Sequence, residues 1–121
     1  MINEDFCSFE IAKLLEEKGF NISLNSKDWL CCMYDENGNI HWGIYDKNWY
    51  FRITHQMAMK WLRETRDIVI SIFPTIETDM IVREDYNYAI YKNKTVVYQS
   101  CSTSYEEACE AAIRCCLENL I

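Results

Sequence analysis

The segment that most constrains this chain is its last helix. Ser104 is followed three residues later by Glu107, the pairing of a capping box. Behind it, Tyr105, Ala108, Cys109, Ala112, Cys116 and Leu120 recur at helical spacing and mark one buried stripe. Glu110, Arg114 and Glu118 form an outer i, i+4 row that reads as a solvated face. A helix with one apolar face needs other elements to cover it, and the rest of the chain is read with that requirement in view.

Two further helices are marked. Residues 8–18 open on Ser8 as N-cap, carry Glu10 in the first turn, and place Ile11, Leu14 and Leu15 on one face. Gly19 then stands at the left-handed C′ position, with Phe20 behind it. Residues 55–66 follow Thr54 as N-cap, with Met57, Ala58, Trp61 and Leu62 on the inner side. Between these helices lie strand-like runs. Residues 30–34 and 40–45 flank Asp35-Glu36-Asn37-Gly38-Asn39, where Asn-Gly suits a type I′ hairpin turn, and 49–53 follows a second turn at 46–48. The β-branched run 68–73 is stopped by Pro74, and a polar loop is expected over 75–79. Residues 80–91 and 95–100 meet at Lys92-Asn93-Lys94. The reading is a single domain over residues 1–121, α+β in class. Its order is α-βββ-α-βββ-α, with antiparallel meander sheets packed by helices.

Composition excludes several functions. With 12 Lys and Arg against 19 Asp and Glu, the chain carries a net charge of −7, the wrong sign for default binding to a phosphate backbone. The acidic start Asn3-Glu4-Asp5 is unlike a secretory signal, and no apolar run reaches membrane-spanning length, so a cytoplasmic protein without membrane association is expected. The 7 cysteines are odd in number, and Cys31-Cys32 and Cys115-Cys116 are adjacent, which fits reduced thiols and not a disulfide framework.

No local spacing announces a metal, a cofactor or a catalytic group. There is no C-x-x-C, and neighbouring cysteines diverge on a helix or strand. His41 and His55 stand alone in sequence. Cys7, beside the first helix start, is the best-placed thiol for chemistry, opposed by Glu4 and Asp5. The three glycines, Gly19, Gly38 and Gly43, form no phosphate loop. No catalytic, cofactor-binding or metal-binding residue is therefore expected, and the chain is expected to fold without a metal. The aromatic set Trp42, Tyr45, Trp49 and Tyr50 (with Phe51) reads either as the core of a small sheet or as an exposed interaction patch.

Residues 8–20, 54–64 and 104–120 together resemble a group of small uncharacterised proteins of gut Bacteroidetes, their phages and mobile elements. The resemblance covers the helices and implies a bacterial or phage origin, with no assigned activity. The order from residue 55 onward is also similar, in topology, to double-stranded-RNA-binding domains. That family grips phosphates with a basic cluster at the start of its final helix, where this chain has Glu106-Glu107.

The expected function is that of a non-enzymatic, acidic, intracellular domain acting by protein–protein contact, with an unknown protein partner or by self-association. Two alternatives stand beside it. One is a phage or mobile-element accessory or anti-defence protein whose acidic face mimics nucleic acid. The other is a nucleic-acid binder of the RNA-binding topology, which the charge opposes.

Overall fold

A computed structural model describes residues 5–20, 30–44, 46–76 and 82–121. The chain runs α1 (Phe9–Glu17), β1 (Leu30–Tyr34), β2 (Ile40–Ile44), β3 (Tyr50–Phe51), α2 (His55–Arg66), β4 (Ile68–Ile76), β5 (Val82–Lys92), β6 (Thr95–Ser102) and α3 (Tyr105–Cys115). A last π-helical turn covers Cys116–Leu120. This is the expected α-βββ-α-βββ-α order, with two antiparallel three-stranded sheets in the orders β2-β1-β3 and β4-β5-β6. The polar stretch 21–28, residues 77–79 of the expected loop, and Tyr45 lie outside the described residues.

The local signals act as physical chemistry demands. The Ser8 side chain accepts the Ile11 N–H, and Thr54 does the same for Met57 and Ser104 for Glu107, so each helix start satisfies one orphan donor. Glu107 turns not to the Ser104 backbone but to the Thr103 hydroxyl, which donates to its carboxylate. Gly19 takes a positive φ of 96°, and the Phe20 N–H bonds Leu15 O at 2.9 Å, closing α1 as a Schellman ending. The Phe20 ring meets Trp61 of α2 edge-on at 5.6 Å.

Four details depart from the sequence reading. The first hairpin is not a two-residue type I′ turn. Asn37 keeps a negative φ, only Gly38 is positive, and the Asp35 carboxylate accepts the N–H groups of Asn37 and Asn39. An Asx-type loop has won over the Asn-Gly preference. Pro74 does not end β4, which continues to Ile76 through an irregularity between Pro74 and Ile76. As an edge strand, β4 loses no partner to proline's missing N–H. Third, the first sheet is not the expected meander: β3 is only Tyr50–Phe51, and it pairs with the free side of β1 and not with β2. This places β1, with Met33 1% and Tyr34 8% exposed, between two neighbours. Fourth, Met57 is exposed, and the inner line of α2 is His55, Ala58 and Leu62.

The main core joins Ile11 and Leu15 of α1, Ala58 and Leu62 of α2, Ile68, Tyr88 and Ile90 of the second sheet, and Ala108, Ala112 and Ile113 of α3. The stripe of α3 is buried as Ala108, Cys109, Ala112, Ile113, Cys116 and Leu117. Tyr105 and Leu120, expected on it, are half-buried at its ends. No helix among the described residues is long and apolar enough to cross a membrane.

The burial of two thiols gives a direct test. Burial pushes Cys109 up to about 11 and Cys116 up to about 12, while Cys101 is exposed on β6. Thiolate-directed labelling of the native protein should modify Cys101 quickly and Cys109 and Cys116 only on unfolding. Rapid native modification of the latter two, followed by mass spectrometry, would place the α3 stripe at the surface.

Candidate functional site

Three distant segments meet at one point. Residues 5–7 lie antiparallel to 53–55 through a bridge between Phe6 and Thr54, with Cys7 N bonded to Ile53 O at 2.8 Å and His55 N to Asp5 O at 3.0 Å. The bridge sets the N-cap of α1, Ser8, beside the N-cap of α2, Thr54. Glu110 of α3 then reaches into this junction. Its Oε1 accepts the Ser8 N–H at 2.7 Å, its Oε2 accepts the Ser8 hydroxyl at 3.0 Å, and His55 Nε2 lies 2.9 Å from Oε1. A carboxylate at a helix start is favoured by the partial positive charge there.

The sequence reading placed Glu110 on a solvated face. The fold corrects this, because the N-cap Ser8 and the side chain of His55 offer Glu110 polar partners that water would otherwise have to supply. Burial pushes the Glu110 carboxyl up, but hydrogen bonds from His55 and Ser8 outweigh it and hold the group below its ordinary value. His55 is 3% exposed, and its other ring nitrogen, Nδ1, has no hydrogen-bond partner. Cys7 is fully buried, and its Sγ lies 3.8 Å from Thr54 O. Burial above all, then the charge of Glu110, pushes this thiol far above its usual range, so it is held protonated. The ligand atoms of Cys7, His55 and Glu110 all lie within 4.8 Å of one another. The expectation of no metal cluster rested on local spacing, which says nothing about residues 48 and 103 positions downstream of Cys7.

The junction forms one wall of an open cleft of about 630 Å³. Asp5, Glu10, Glu106, Glu107 and Glu110 line it, against the single guanidinium of Arg114. Arg114 Nη1 is also 4.0 Å from Glu118. Such a surface concentrates negative potential and selects cationic groups.

The aromatic set divides. Trp42 is 73% exposed on β2, next to Ile40, which is 51% exposed. Trp49 stacks on His41 at 4.6 Å, and His41 Nε2 in turn lies 2.7 Å from Asp35. Tyr50 meets Phe9 of α1 edge-on at 5.7 Å. Tyr45 is outside the described residues. Two basic groups flank the β5–β6 turn. The Lys92 ammonium donates to Leu120 O at 3.1 Å, and Lys94 is exposed at the hairpin tip.

Sequence reasoning missed the His55–Glu110–Ser8 junction. A signal for half of it exists, since His55, Ala58 and Leu62 share one helical line and so predict a buried histidine. No pattern pairs His55 with Glu110. Comparison with known protein families, with curated proteins and with solved structures finds no match to this chain.

Proposed function

We propose that this protein is a non-enzymatic interaction domain that receives a basic segment of a partner protein in the acidic cleft. The observation that carries the reading is the cleft lining, in which five carboxylates face one guanidinium. A Lys- or Arg-rich segment would meet complementary potential, which favours rapid association and rejects acidic competitors. Free thiols at Cys7, Cys32, Cys101, Cys109, Cys115 and Cys116 support a reducing intracellular setting.

The test is an anisotropy titration with a labelled Lys/Arg-rich peptide and an acidic control. Binding should be specific to the basic peptide, weaken with salt, and fall about tenfold or more in the double variant Glu106→Lys/Glu107→Lys. Equal binding of both peptides, or indifference to the reversal, would overturn the reading.

A second reading has a specific observation behind it. Carboxylates gathered on one surface also suit mimicry of nucleic acid, and such a protein would displace nucleic acid from a basic partner. The same titration with duplex RNA and DNA checks the remaining class. Direct binding should be no tighter than ~10⁻⁴ M at physiological salt, since Glu106 and Glu107 occupy the start of α3 and Lys92 is engaged elsewhere. Micromolar duplex binding at that salt would favour a nucleic-acid binder instead.

A further inference from the structure

We propose that Cys7, His55 and Glu110 form a mononuclear zinc-class site at the edge of the cleft that His55 and Glu110 line. The site does not rest on the partner reading, and either can fail alone.

The donors come from three elements that the fold holds independently: the bridge segment before α1, the first residue of α2, and the second turn of α3. Their ligand atoms already lie within 4.8 Å of one another. Tetrahedral zinc, with bonds of about 2.0–2.3 Å, needs ligand separations of roughly 3.4–3.6 Å. The 2.9 Å contact between His55 Nε2 and Glu110 Oε1 would open slightly, and the Cys7 Sγ would close by up to about 1.4 Å. The thiol has only a 3.8 Å contact with Thr54 O to give up.

The surroundings suit a metal as well as the donors do. Ser8 holds both Glu110 oxygens through its N–H and its hydroxyl, the outer hydrogen bonding that orients a ligating carboxylate. The lone pair now facing His55 is the one a cation would take. His55 is more than nine-tenths buried, so burial holds its ring in place at the start of α2. A thiolate, an imidazole and a carboxylate together select zinc-like ions over magnesium or calcium.

The protons balance as follows. The Cys7 thiol loses its proton to solvent and the thiolate bonds the metal. His55 offers its Nε2 lone pair to the metal. Zinc binding thus releases one proton, and the dication with two anionic ligands is neutral. This removes the desolvation that keeps the empty site's thiol protonated.

The test uses the full chain, stripped with chelator and then titrated with zinc and with cobalt(II). One equivalent should bind, with one proton released per zinc. Cobalt should give a thiolate charge-transfer band and tetrahedral visible bands. Cys7→Ser should abolish the charge-transfer band, whereas Cys101→Ser should leave it intact. Glu110→Gln, checked for native circular dichroism, should weaken zinc about tenfold or more, and it decides the matter if Cys7→Ser fails to fold. Absence of stoichiometric binding by the folded wild type would overturn the proposal. So would binding unchanged in Glu110→Gln, or a charge-transfer band that survives Cys7→Ser.

Discussion

Replacing Ile113 with alanine is expected to remove about 3–4 kcal/mol of folding stability. Ile113 is fully buried on α3 and belongs to the cluster that joins both outer helices to the second sheet. The substitution deletes apolar surface and leaves a cavity that these rigid elements cannot fill. Domains of this size have only about 5–15 kcal/mol in hand, so the variant should melt on the order of 10–15 °C lower. Val97→Ala, at a 43%-exposed position on β6, should cost no more than about 0.5 kcal/mol. Urea denaturation of both variants checks the contrast. A loss below about 1 kcal/mol for Ile113→Ala would mean that α3 does not seal the core.

The second large effect concerns Glu110 and acid. Its carboxyl is held below its ordinary 4.5 in the folded protein, by His55 and Ser8 acting against burial. A depressed folded-state value means the unfolded chain binds the proton more readily. The contribution is therefore fully present above about pH 4.5 and is lost as pH falls below it. Glu110→Gln keeps the shape but loses the charge-assisted hydrogen bonds, and should cost about 1–3 kcal/mol near neutral pH. Asp35, lowered to about 2 by His41 and by the N–H groups of Asn39 and Asn37, destabilises the fold in acid in the same direction in both proteins. The decisive quantity is thus the difference between wild type and variant, measured in chelator between about pH 7 and about pH 3. That difference should shrink toward zero in acid. A gap that stays constant with pH would show that Glu110 acts through packing alone.

These two residues show how far the primary structure carries. The stripe read from the sequence leaves out Ile113 and Leu117, which the fold buries, whereas the capping residues Ser8, Thr54 and Ser104 all cap as their side-chain chemistry requires. Such features are legible because they depend on neighbours three or four positions away. Glu110 shares the i, i+4 row of Arg114 and Glu118, and nothing local separates it from them. Only Arg114 and Glu118 remain a surface pair, at 4.0 Å. The edge position that lets β4 run through Pro74 is equally invisible along the chain, because it depends on strand order.

What the sequence alone determined is the succession of three capped amphipathic helices and two triplets of strands, together with the acidic balance of the chain. Local hydrogen bonding and periodicity are enough for that. The tertiary structure decided which charged and thiol groups meet. A short β-bridge between residues 6 and 54 puts two helix N-termini side by side. Their unsatisfied donors draw the Glu110 carboxylate in from a third helix, next to His55 and Cys7, because buried donors must find an acceptor and a buried carboxylate must find donors.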